Sequence, residues 1–163
     1  MAEASGKKLK AICIDGSEHS ERALKWFFDN VYHEGDEVAL IHVHVLPDLP
    51  SFGIYAGGIV ATEIYQETVE ESIKHSKVTC EKYKELCAAK GVTPKIFAET
   101  MEDSIGHTIC KIAKEHHAYM IIIGQRGLGA IRRTLFGSVS DYVLHHAHVP
   151  VVVVPSEDKD KSK

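Results

Sequence analysis

Long hydrophobic runs are missing from this 163-residue chain. No apolar stretch approaches the ~18 residues that a membrane span requires, so no membrane partner is expected. The opening MAEASGKKLK has charge but no apolar segment ahead of a small-residue cleavage site, so no secretory leader is expected. Cysteine is scarce and scattered. Cys13, Cys80, Cys87 and Cys110 form no C-x-x-C pair, which argues for free, mostly packed thiols in a reducing, cytoplasmic setting. A basic excess is also absent. Lys and Arg number 19 against 23 Asp and Glu, a net charge of −4, which excludes a surface built to coat nucleic acid.

Several enzyme motifs are missing too. There is no G-x-x-x-x-G-K-[ST] phosphate loop and no G-x-S-x-G nucleophile elbow. A dinucleotide fingerprint would follow the first strand. The nearest fragment, Gly127-Leu128-Gly129, follows the fourth and has Arg132 where the third glycine belongs. Histidine is plentiful at 11, yet His42 and His44 on one strand face, and His145, His146 and His148 near a helix end, show no converging third ligand. No metal site in the protein itself is expected.

What is present is an alternation of strand-like and helix-like runs. Strands are predicted at Leu9–Asp15, Glu37–Val45, Thr93–Thr100, Tyr119–Gly124 and Pro150–Val154. Ser17 caps a first helix with Ala23, Leu24, Phe27, Phe28 and Val31 at helical spacing. Pro47–Val60, with two prolines and three glycines, reads as a long loop in which Phe52 and Tyr55 offer aromatic faces. A helix follows over about 61–90, its buried stripe marked by Tyr65, Val69, Ile73, Cys80, Tyr83 and Cys87, and Gly91 stops it. Asp103 caps a third helix, and a short fourth begins near Ser138. Residues 1–155 form one domain, and 156–163 a solvated charged tail.

Such a series builds an α/β domain with an open five-stranded parallel sheet, helices on both faces, in the Rossmann-like order 3-2-1-4-5. Ligands of these sheets sit at the carboxyl ends of strands 1 and 4, where the winding reverses. Asp15-Gly16-Ser17 and the run GQRGLGAIRRTLFGS from Gly124 to Ser138 both fall there. That run holds Arg126, Arg132 and Arg133 and no acid, a local charge of +3. Gly124 and Gly127 can adopt positive φ and let a ligand approach the backbone. The helix starting at Gly137-Ser138 presents free N–H groups and a positive dipole end. Together these suit a polyphosphate.

Gly124, Gly127, Gly137 and Ser138 match G-x2-G-x9-G-[ST], the nucleotide signature of the ATP-binding universal stress proteins, which the chain resembles over nearly its whole length. The resemblance implies a role for each matching residue. Asp15 would lie at the ribose, and the backbone of Val43 would meet the adenine. Gly124 and Gly127 would line the phosphate path. Gly137, Ser138 and Val139 would hold the phosphates of ATP, ADP or AMP, with Mg²⁺ on them. A phosphate contact from Arg126 is inferred from its place beside the signature. Gly16, where many members carry a longer side chain, is expected to loosen the first turn.

The apolar, uncharged Val151–Val154 strand is an edge in this order and needs cover. A homodimer through this strand is expected, as the resemblance also implies. The function expected is a nucleotide-dependent switch or stress-resistance factor. A slow hydrolase or transferase using the same site is the alternative, and fast catalysis is not expected because no general base is evidently placed at a γ-phosphate.

Overall fold

The structure, a computed structural model, describes residues 7–46, 58–125 and 137–156. Strands β1 (Leu9–Cys13), β2 (Glu37–His44), β3 (Lys95–Thr100), β4 (Met120–Gly124) and β5 (Val151–Val154) alternate with helices α1 (Glu18–Asn30), α2 (Gly58–Ala88), α3 (Ile105–Glu115) and α4 (Ser138–His146). All pairings are parallel, and the order is β3-β2-β1-β4-β5, as expected. Cys13 lies opposite Ile41 in β2, and Ile12 opposite Ile122 in β4. The sheet is single and open, so β1 is the strand at which the chain reverses its winding.

Alternation along the strands divides the core in two. Ile12, Ile14, Val38, Leu40 and Ile122 face α1 and α2, where they meet Leu24, Phe27, Tyr83 and Cys87. Ala11, Cys13, Ala39, Ile41, Ile121 and Ile123 face α3 and α4, where they meet Ile109, Ile112 and Val143. Both faces of β1 and β4 are therefore dry, which is why these strands read as continuous apolar runs. At the far end of the sheet the buried Lys10 ammonium pairs with Asp36 and donates to the Val31 carbonyl at 2.7 Å. The four cysteines are free thiols.

Several boundaries differ from the sequence reading. β1 ends at Cys13, because Asp15 already belongs to the turn. α2 begins at Gly58, inside the expected loop; the remainder of that loop, with Phe52 and Tyr55, lies outside the described residues. The tail beyond Ser156 also lies outside them. The cap of α3 is Ser104, not Asp103: the Ser104 hydroxyl accepts from the His107 N–H at 3.1 Å. Gly91 does close α2, with φ +75° and its N–H on the Ala88 carbonyl. The stripe of α2 is buried only at Cys80, Tyr83 and Cys87, while Ile73 stands exposed. The helix is about 46 Å long at 1.5 Å per residue and outruns the sheet it packs on. Among the described residues no helix is long and apolar enough to cross a membrane.

Gly124 departs from its expected conformation. Its φ is not positive. A Cβ there would stand 2.3 Å from the His19 carbonyl oxygen and 2.7 Å from its carbon, so the glycine lets the first turn of α1 close against β4. Gly124→Ala would force backbone apart rather than move a flexible side chain. We expect it to cost about 2 kcal/mol or more, the upper part of the overpacking range, read as a lowered urea midpoint.

Candidate functional site

A cavity of about 650 Å³ opens at the carboxyl ends of β1, β2 and β4. That is within the usual range of small-molecule sites. Asp15, Val43, Gly124, Gly137, Ser138 and Val139 all line it, so the fold brings six of the expected site residues to one place. Arg126 and Gly127, with Arg132 and Arg133, lie outside the described residues.

The acidic wall is built at the β1–α1 turn. Oδ1 of Asp15 accepts from the Ser17 N–H at 3.0 Å, the Ser17 hydroxyl at 2.6 Å and the Ser20 hydroxyl at 2.7 Å. Ser17 caps α1, its hydroxyl accepting from the Ser20 N–H. Gly16 does not loosen this turn. Its φ of +81° lies in the left-handed region, and the turn is fixed by a conformation glycine adopts without strain.

Behind Ser20 stands Tyr83 of α2, fully buried, with its hydroxyl 2.5 Å from Ser20 Oγ and 3.3 Å from the Ser17 carbonyl. The proton directions follow from the end of the chain. A carboxylate only accepts, and Ser20 has one proton to give, so at Ser20 Oγ the tyrosine is the donor. Burial pushes the Tyr83 phenol up to about 12, which keeps that proton in place. Tyr83 was legible in the sequence as a core residue; nothing in the spacing marked it as a support of Asp15.

Val43 sits where β2 outlasts β1. The Ile41 carbonyl takes the Ile14 N–H, and the His44 carbonyl takes the Met101 N–H on the β3 side. The two-residue alternation of a strand turns the backbone groups of Val43 to the side of Ile41, just where β1 has ended. Ile105 and Ile109 of α3 and Val139 complete an apolar neighbourhood there.

The opposite lip is the start of α4. Gly137 is its N-cap and offers no side-chain bond to the first N–H groups of the helix. Those groups and the dipole end favour an anion. The exit of β4 toward this lip is pinned. The Gln125 N–H donates to the Val154 carbonyl at 2.8 Å, and Arg22 of α1 donates to the carbonyls of Pro155 at 2.8 Å and Gln125 at 3.3 Å. Arg22 was not singled out in the sequence, where a lone helical arginine carries no signal. The Cys13 thiol on the cavity floor is buried, and burial pushes its pKa up, so it is held as an inert thiol.

Such a cavity has an acid at one wall, free backbone edges beside apolar side chains, and an anion-favouring helix end. The universal stress protein family model matches residues 11–155. The chain belongs to the universal stress protein family. It is 31% identical over 156 residues to a universal stress protein of Methanocaldococcus jannaschii, covering 94% of this chain and 85% of that one. With one from Mycolicibacterium smegmatis it shares 31% over 148 residues, 91% of this chain and 48% of the other. The chain thus spans about half the length of its mycobacterial relatives. Among solved structures, the hypothetical protein MJ0577 superposes with a TM-score of 0.74 at 25% identity, covering 93% of this chain and 97% of that one. A family member from Arabidopsis thaliana, solved with AMP bound, shares the fold at TM-score 0.67 and 17% identity over 92% of each chain. Another universal stress protein, in complex with cAMP, gives 0.54 at 18%, covering 92% of this chain and 98% of that one.

Tyr83→Phe removes one buried donor and leaves Ser20 under-satisfied. It should lower stability by about 1 kcal/mol in urea unfolding. The double variant with Ser20→Ala should cost less than the sum of the two singles, because both act on the same carboxylate.

Proposed function

We propose that this universal stress protein binds an adenine nucleotide, ATP in its working form, and acts as a nucleotide-dependent switch in stress resistance. The observation that carries the reading is the N-terminus of α4, without a side-chain cap from its N-cap Gly137, facing the same cavity as Asp15. In this reading Gly137, Ser138 and Val139 hold phosphate oxygens through backbone N–H groups and the Ser138 hydroxyl. Gly124, Gly127 and Arg126 line the phosphate path. Asp15 accepts from the ribose hydroxyls, and the backbone of Val43 meets the adenine. The phosphates carry Mg²⁺, so the protein needs no metal ligands of its own. The AMP and cAMP complexes of fold relatives support a nucleotide here, and the free thiols support a cytoplasmic setting.

Isothermal titration with Mg-ATP tests the site. Binding in the micromolar range is expected, and Asp15→Ala should weaken it about tenfold or more, since bonds to a charged acceptor are the strong ones. No binding at high micromolar ATP overturns the reading.

The same reading makes the protein a homodimer. β5 is a sheet edge, and Val151, Val152 and Val153 are only partly buried. An uncovered apolar edge is a hazard that a second copy of the strand removes. Sedimentation at tens of micromolar should show a dimer, and Val152→Lys should shift it toward monomer. A wild-type protein that sediments only as monomer sinks the dimer.

A further inference from the structure

Beside Val43 a second polar chain links β2 to α2. His42 Nδ1 lies 3.0 Å from the Ile14 carbonyl, and its Nε2 lies 3.0 Å from Ser76 Oγ. Ser76 Oγ is in turn 2.7 Å from His44 Nδ1. The other ring nitrogen, His44 Nε2, is closed to water and has no hydrogen-bond partner; it stands alone in this among the buried side-chain polar atoms of the described residues. His42, His44 and Ser76 all line the cavity.

The carbonyl at the end of this chain sets every proton in it. Ile14 O can only accept, so His42 carries its proton on Nδ1. The Nε2 of neutral His42 is then an acceptor and takes the one hydroxyl proton of Ser76. Ser76 has none left for His44, so it accepts from Nδ1–H of His44. In neutral His44 the proton is thereby held on Nδ1, and Nε2 is left with a bare lone pair. The orphaned atom is an acceptor. The chain ties β2 to α2, yet that tie leaves His44 Nε2 unused. A buried polar atom without a partner calls for one.

We propose that His44 Nε2 is a specificity-determining acceptor that selects a 6-amino purine over a 6-oxo purine. This rests on the nucleotide reading and deepens it. Val43, Ile105 and Ile109 also line the cavity, from the α3 side of the sheet, and offer apolar contact to a flat heterocycle, while His44 stands on the α2 side with Ser76. An exocyclic amine brings the missing donor to Nε2. An exocyclic carbonyl sets acceptor against acceptor. Nε2 is closed to water on a half-buried imidazole, so for a ring edge that meets it the match of donor to acceptor is the deciding contact.

The test has two arms on the full chain. The first is isothermal titration of wild type and His44→Phe with Mg-ATP and with Mg-inosine triphosphate. Wild type should prefer ATP by about tenfold or more, the cost of one unmet buried polar group. His44→Phe should lose that preference, with ATP falling to the level of inosine triphosphate. The second arm is ¹⁵N NMR of the histidine rings in ligand-free protein at a pH of about 8, above the ordinary histidine range. It should show His44 protonated on Nδ1 and bare on Nε2. A proton on Nε2 overturns the proposal. So does equal binding of the two nucleotides by wild type, or a preference that survives in His44→Phe; in both cases ATP still binds and the nucleotide reading stands. If wild type binds neither nucleotide, that reading falls and takes this proposal with it.

Discussion

One carboxylate oxygen holds the working end of this molecule together. Asp15 Oδ1 gathers three donors at the point where β1 stops and α1 starts. The first turn of a helix leaves N–H groups without intrahelical partners, and its dipole favours a negative charge nearby. Asp15 and Ser17 answer both demands within two residues. The same oxygen fixes Ser20, Ser20 fixes Tyr83, and Tyr83 belongs to α2. Two helices on one face of the sheet are thus referenced to a single charge. The cavity inherits its shape from that arrangement.

The far lip is organised by different means. Where the Asp15 turn uses side chains, the start of α4 uses bare backbone, and the exit from β4 is held by Arg22 and by the contact that Gly124 permits with α1. An acid would repel an anion at that lip; the one acid in the first turn of α4, Asp141, does not line the cavity. The two sides of the cavity therefore differ in charge although they are joined through one helix. Such separation lets one ligand meet an acceptor at one end and donors at the other.

The fold was legible because each strand on both-face duty is an unbroken apolar run and each helix carries its own period. Ile121–Ile123, apolar on both faces, read as a central strand, and Thr93–Thr100, with a proline near its start, fitted an edge. The outline of the cavity was legible, since topology alone brings the Asp15 turn and the start of α4 to one end of the sheet, and the family resemblance added Val43. Other features depend on tertiary geometry that no local pattern encodes. Asp103 and Ser104 both make good caps, and backbone angles decided between them. Gly124 was read as room for a ligand at positive φ; it lines the cavity without a positive φ, and its missing Cβ also makes room for α1. Ile73 kept the period of a buried stripe, but the sheet ends before reaching it. Tyr83, Ser76 and Arg22 act across 63, 34 and up to 133 residues of sequence, so spacing could not reveal them.

The length of α2 has a mechanical consequence. Its last turns are clamped in the core by Cys80, Tyr83 and Cys87, while Ser72, His75 and Ser76 form part of the cavity wall nearer its start. A helix is stiff along its axis, so these three side chains move as one piece. Ser76 is also tied to His42 and His44, so the helix is a beam fixed at two points along its length, one in the core and one at the strand end. The cavity wall it carries is thereby held at a set distance from β2.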